Sequence, residues 1–296
     1  MQIIKPIKPV GVLTVEIVRE ISAVSKAMGL ELLLVGAQAK VILLENIYGL
    51  NPGRATGDID FAFAVESWDQ FHQIKQNLIA TGKFKELSKV KQRLVYQSSL
   101  IEHGFVVDII PFGAVQDDNN MIAWPPELDV VMSVSGYQEA LESALLVELD
   151  TDLAIKVVSL AGLAILKVFA WSERGTATEN KDALDLLTLL RAYHEAGNTD
   201  RIYEVPPPEA LEAMNYDPEL MGAWLLGYDV AAIADQSTIE KMAELIDSKK
   251  ENLIVQMAKS LPGNDGALDA AEALLSSFTQ GVQQATTKKE LKAKLL

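Results

Sequence analysis

The sequence predicts an α/β protein, a small mixed sheet with flanking helices followed by a mainly helical domain. Three observations predict it. Strand-like and helix-like periodicities alternate through residues 1–115, whereas beyond Asp117 loop chemistry gives way to long helical patterns. Charge changes at the same place. Residues 1–115 hold 12 Lys and Arg against 11 Asp and Glu, while 116–296 hold 14 against 30, so the net −15 belongs to the later part. The expected domains are therefore 1–135 and 136–296, the second contributing to a cleft formed by the first.

Each element has a local reason. Val15, Ile17, Val18, Ile21 and Val24 lie at helical spacing between Thr14 and Met28, and Gly29 ends that helix. Glu31 to Val35 is a short apolar strand. Gly36 opens a second helix through Ala39, Val41, Leu44 and Ile47, stopped by Gly49. Asn51-Pro52-Gly53 is a turn. Asp58 to Val65 reads as a strand, and Ser67 is placed to cap a helix through Ile79. Arg93–Ile101 and Phe105–Pro111 read as two strands joined at His103-Gly104. Beyond them the pattern predicts helices over 137–146, 160–172, 179–196, 237–260 and 267–283, with a strand-like piece at 154–158. Pro206-Pro207-Pro208 and Pro262-Gly263 punctuate this part.

Composition excludes several classes. With 296 residues, 49% of them hydrophobic, the chain can bury a sizeable core, and the absence of cysteine excludes disulfides, cysteine zinc sites and thiol catalysis. His72, His103 and His194 are far apart in sequence, which argues against a histidine metal cluster. The start, MQIIKPIKPVG, lacks the apolar core of a signal peptide. No stretch reaches the roughly 20 apolar residues of a membrane helix, and the most apolar one, Val157 to Trp171, is broken by Lys167. The expectation is a soluble, cytoplasmic protein with no membrane partner. Lys83, Lys85, Lys89, Lys91 and Arg93 form a basic run, which is either a solvated lysine face or a landing surface for a phosphate-bearing substrate.

The most informative stretch is Arg54-Ala-Thr56-Gly-Asp58-Ile-Asp60-Phe61. Alternate strand residues share a face, so Asp58 and Asp60 point one way while Ile59, Phe61 and Phe63 point to the core. Two neighbouring carboxylates repel and need a compensator. A divalent cation with oxygen ligands, magnesium first among them, is the economical one. Asp108 interrupts the aliphatic run Phe105 to Pro111, which makes sense if it joins Asp58 and Asp60. Three carboxylates can hold two metal ions roughly 3.5–4 Å apart that bridge a triphosphate. Gly36-Ala37 forms a strand-to-helix turn where the backbone can approach a phosphate. Asp150-Thr-Asp152 repeats the Asp-x-Asp spacing in an ordinary turn. Lys167 interrupts an apolar helix face, so its ammonium seeks a nucleotide phosphate, Asp182 or Asp185, or else reaches out to solvent. Asp182 could equally pair with Lys181 or Arg174.

In this order the motifs resemble the nucleotidyltransferases of the polymerase-beta-like superfamily, and within it the AbiEii (abortive-infection) toxin type. Gly36-Ala37 stands where the superfamily has Gly-Gly or Gly-Ser. Arg54-x-Thr56-x-Asp58-Ile-Asp60-Phe61 is similar to its R-x-[ST]-x-D-[IL]-D-F signature, and Val107 to Pro111 to its third-aspartate strand. Lys167, followed by Lys181-Asp182-x-x-Asp185-Leu, resembles the lysine helix and K/R-D-x-x-D-L helix of AbiEii-type proteins. The resemblance covers about residues 30–195.

The resemblance implies magnesium-dependent transfer of a nucleoside monophosphate from an NTP to an acceptor, RNA or tRNA, with an antitoxin protein as partner. It implies metal binding by Asp58, Asp60 and Asp108, two ions in all. Triphosphate contacts fall to Gly36, Ala37, Arg54, Thr56 and Lys167, and an acid/base role to Asp182. The alternatives are transfer to a small molecule, as in antibiotic-modifying enzymes, and a nucleotide-binding protein of the same fold without turnover.

Overall fold

The structure is a computed structural model and describes residues 2–54, 56–87, 90–174, 181–261 and 266–294. The chain divides into two compact units, Met1–Ser159 and Leu160–Leu296. Residues 136–159, expected in the second domain, lie in the first unit, where they complete its sheet.

The first unit runs β1 (Ile3–Ile4), α1 (Val12–Met28), β2 (Leu32–Val35), α2 (Gly36–Val41), β3 (Asp58–Val65), α3 (Trp68–Ala80), β4 (Phe84–Glu86), β5 (Arg93–Tyr96), β6 (Phe105–Gly113), β7 (Met121–Ala123), β8 (Val131–Ser133), α4 (Tyr137–Glu142), β9 (Leu145–Asp150) and β10 (Leu153–Val157). Helix α2 continues as a π-helical turn over Ile42–Ile47. Eight strands form one mixed sheet in the order β1-β9-β10-β2-β3-β6-β5-β4, and β7 pairs with β8 separately. Strand β3 is central. It runs antiparallel to β2 and parallel to β6.

Local chemistry sets these elements. Gly29 ends α1 in the left-handed region at φ 66°, the conformation glycine adopts without steric cost. Ser67 caps α3, its hydroxyl accepting from the Gln70 amide at 3.2 Å. Ile59, Phe61 and Phe63 are fully buried on one face of β3, each worth about 1.5–3 kcal/mol of burial. That face is apolar, so the register of β3 is fixed and its aspartates must emerge on the other face.

The second unit is helical: α5 (Leu160–Arg174), α6 (Lys181–Ala192), α7 (Arg201–Glu204), α8 (Pro208–Ala213), α9 (Pro218–Ile233), α10 (Gln236–Ser248), α11 (Lys250–Ala258) and α12 (Ala267–Lys294). Asp217 caps α9, accepting from the Glu219 and Leu220 amides, and Asp235 caps α10 through the Thr238 amide. Trp171 donates its indole N–H to Gln256 Oε1 at 2.8 Å, tying α5 to α11.

Four sequence expectations change here. The strand expected to reach Ile101 ends at Tyr96, and the helix expected over 137–146 stops at Glu142 so that Leu145 onward can pair with β10. The single helix expected over 237–260 is two, because Lys249 leaves helical geometry at φ −128°, ψ 19°. The last helix runs on to Lys294 rather than ending at 283. Lys89, Glu179, Pro262 and Gly263 lie outside the described residues. No helix among the described residues is long and apolar enough to cross a membrane.

Candidate active site

Strand pairing builds the site. Parallel pairing of β3 with β6 sets Asp60 directly opposite Asp108, with Asp58 opposite Val106. On the other side, antiparallel pairing sets Asp60 opposite Val35, the residue before Gly36. The three sequence motifs thus sit on adjacent strands β2, β3 and β6.

Gly36 has a steric reason to be glycine. Its φ is +72°, and a Cβ built on it would lie 1.9 Å from Asp60 Oδ2. The first turn of α2 therefore packs against the Asp60 carboxylate, an approach that no larger residue permits. Ala37 behind it is buried, so its side chain belongs to the core. Lys40, one turn further along the same helix, is buried as well.

Asp58 is held by its own loop. The Thr56 hydroxyl donates to Asp58 Oδ1 at 2.6 Å. Asp58 and Asp60 are both half-buried, as is Arg54 upstream of them.

Asp108 is buried and has a partner the sequence did not reveal. Arg93, in register with it across β5 and β6, donates Nε to Oδ1 and Nη2 to Oδ2, both at 2.8 Å. This is the planar two-point match of guanidinium and carboxylate. The Arg93 pKa is raised, first by that hydrogen bonding, with burial opposing and attraction to Asp108, Asp58 and Asp60 adding to it. The sequence placed Arg93 in a basic run and at the start of a strand hairpinned to the Asp108 strand, and the register of that hairpin sets the two opposite each other.

Two other lysines of that run are paired with carboxylates. Lys83 pairs with Glu20 at 2.6 Å, and Lys91 with Glu127 at 2.8 Å. Lys85 is within 3.5 Å of Gln97 Oε1. Pairing of this kind fits a solvated face better than a phosphate-landing surface. Asp150 pairs with Arg19 at the end of β9, and Asp152 sits in a turn at φ 63°, so the second Asp-x-Asp is an ordinary turn.

In the second unit, Lys167 is buried, which removes the solvent-reaching alternative. Its ammonium lies 2.9 Å from Asp182 Oδ1 and 2.6 Å from Asp185 Oδ2, both buried. Burial pulls its pKa down, but attraction to Asp182 and then Asp185, with their hydrogen bonds, more than offsets this and raises it. The Arg174 side chain lies outside the described residues.

Asp58 and Asp60 offer only hard oxygen donors from one strand face, a set that fits a magnesium-type cation. Each Asp108 oxygen accepts one hydrogen bond from Arg93. Among the described residues, no three His, Asp or Glu side chains form a group that could hold a metal ion. The fit is thus to a carboxylate pair, with Asp108 adjacent and engaged elsewhere.

Comparison with known proteins gives one family. The family described as nucleotidyl transferase AbiEii toxin, type IV TA system, matches residues 31–275. Among the solved structures to which the chain is similar are two. One is the solution structure of the antibiotic-resistance factor ANT(2'')-Ia, at 10% identity and TM-score 0.36, covering 69% of this chain and 97% of that one. The other is an antigenic nucleotidyltransferase-like protein from Paracoccidioides brasiliensis, at 16% identity and TM-score 0.40, covering 67% and 89%. No curated protein sequence matches.

Proposed function

The chain belongs to the AbiEii family of nucleotidyltransferase toxins, and we propose that it transfers a nucleoside monophosphate from an NTP to RNA, tRNA foremost, as the toxin of a type IV toxin–antitoxin pair. An acceptor hydroxyl attacks the α-phosphorus, the bond to pyrophosphate breaks, and the acceptor proton passes to a carboxylate of the protein.

The observation that supports this reading best is the register of β2, β3 and β6. It sets Asp60 against both Asp108 and the first turn of α2. Asp58 and Asp60 would hold the divalent cations, with magnesium expected and two ions anticipated. Bound cations supply charge neutralisation of the triphosphate and of the leaving pyrophosphate. Thr56 orients Asp58 through its 2.6 Å hydrogen bond. Backbone N–H groups of Gly36 and Ala37, with the Arg54 guanidinium, are the phosphate donors assigned in this reading. Asp108 is the carboxylate assigned in this reading to help deprotonate the acceptor. Lys167 fixes the orientation of Asp182, the further acid/base group, and both are assigned by the family motif. A separate antitoxin is the protein partner the reading requires.

The test uses labelled nucleoside triphosphates, magnesium and total RNA, with wild type beside the Asp58→Asn, Asp60→Asn double variant. Label is expected in RNA with wild type, and at background with the double variant or after chelation of the metal. Undiminished transfer by the double variant would refute the site. The acidic composition of residues 116–296 favours a cationic small molecule as the second acceptor class. An aminoglycoside arm labelled in place of RNA would replace the acceptor assignment while leaving the site intact.

A further inference from the structure

Nothing in the proposed reaction uses Arg93, yet its guanidinium is the group that covers the third carboxylate. Nε and Nη2 each donate to a different Asp108 oxygen at 2.8 Å. The Asp108 side chain is 11% exposed and that of Arg93 is 32%. The carboxylate is therefore the buried partner and the guanidinium the accessible one. Arg93 also stands in the electrostatic field of Asp58 and Asp60.

The same fork geometry that fits a carboxylate fits a phosphate. A triphosphate brought to Asp58 and Asp60 would compete for this guanidinium with more negative charge than Asp108 has. A divalent cation would compete for the Asp108 oxygens from the other side.

We propose that Arg93 masks Asp108 until nucleotide arrives, and that it then turns its guanidinium onto the triphosphate and leaves an Asp108 oxygen free for the cation. The inference rests on the nucleotidyltransferase reading above. It makes free protein a poor cation binder and couples the third carboxylate to nucleotide binding, a reciprocal linkage.

The test is equilibrium binding to the full-length protein, with two probes that do not depend on turnover. Manganese binding without nucleotide is followed by the paramagnetic resonance signal of the free ion. ATP binding in chelator is followed by calorimetry. Arg93→Ala is expected to bind manganese about tenfold more tightly than wild type, because an unmasked carboxylate joins the site. It is expected to bind ATP about tenfold to a hundredfold more weakly, the range of a lost charged hydrogen bond. Adding Asp108→Asn to Arg93→Ala should abolish the manganese gain.

Opposite signs on the two probes are the signature, since general damage to the fold lowers both affinities. Unchanged manganese affinity, or unchanged ATP affinity, overturns the proposal. If Arg93→Ala loses its folded circular-dichroism spectrum, Arg93→Lys serves. An ammonium lacks the planar fork that matches both oxygens, so an intermediate manganese gain is expected, and no gain overturns the proposal. Should wild type transfer no nucleotide while Arg93→Ala still shows both shifts, the transfer reading fails and the masking of Asp108 stands.

Discussion

Lys167 carries its charge into a nearly dry environment and survives there because two carboxylates share it, at 2.9 Å from Asp182 and 2.6 Å from Asp185. Removing one partner of a buried ion pair costs about 3–5 kcal/mol, whereas replacing the whole set by well-packed hydrophobic residues of similar volume is often close to neutral. Lys167→Met should therefore destabilise the protein by about that amount, and the triple variant with Asp182→Leu and Asp185→Leu should recover much of the loss. Urea denaturation of the three proteins decides it. A triple variant less stable than Lys167→Met would show that the carboxylates have other essential cationic partners. At this scale the sequence was partly legible. Asp58 and Asp60 could be placed on one face because strand periodicity is two, and Lys167 was conspicuous as a charge in an apolar helix. Which of its possible anions Lys167 takes, and that Arg93 covers Asp108, depend on helix packing and hairpin register, which no local pattern encodes.

Helices α9 and α12 show how an element can depend on the absence of a side chain. A Cβ on Gly227 would lie 2.0 Å from the Phe278 carbonyl oxygen, and one on Gly281 would lie 1.9 Å from the Trp224 carbonyl oxygen. The contacts are reciprocal, so the two backbones touch at this crossing. In an exposed helix, glycine to alanine gains about 1 kcal/mol from propensity. Overpacking a close contact costs about 1–3 kcal/mol or more, and at these separations the second effect wins. Gly281→Ala should thus destabilise by about 2 kcal/mol, a net of the two effects. Adding Gly227→Ala should cost less than its single change, because the helices have already been pushed apart. Denaturant midpoints of the two single variants and the double test both the sign and the non-additivity. Elements with a clear period or cap, such as β3 and α3 behind Ser67, were readable in advance. Strand β4 was hidden because Lys83 and Lys85 flank Phe84. Helix α9 gave no signal because it buries residues on every side from Met221 to Ala231 and so has no polar face to set a period.

Across the whole chain, the charge pattern looks different once the units are known. Residues 1–159 hold 13 Lys and Arg against 20 Asp and Glu, and residues 160–296 hold 13 against 21. The near-neutral stretch 1–115 is thus only part of a first unit at −7, beside a second at −8. The acidic residues of 116–159, strand β9 among them, supply the difference. An acidic protein of this kind offers a polyanion no long-range attraction, so binding of the proposed RNA acceptor would have to rest on local contacts. Screening over a Debye length of about 10 Å at 0.1 M salt, shrinking as salt rises, would then remove repulsion rather than attraction. The expected result is an apparent KM for RNA that holds steady or falls as sodium chloride rises from about 0.05 to about 0.3 M, at fixed magnesium. A cationic small acceptor should show the reverse, since its attraction to the negative surface is what salt removes. Steady-state transfer across that range therefore separates the two acceptor classes by the sign of a slope. An RNA KM that climbs steeply with salt would mean that a concentrated basic surface exists, which the paired lysines around β4 and β5 do not provide.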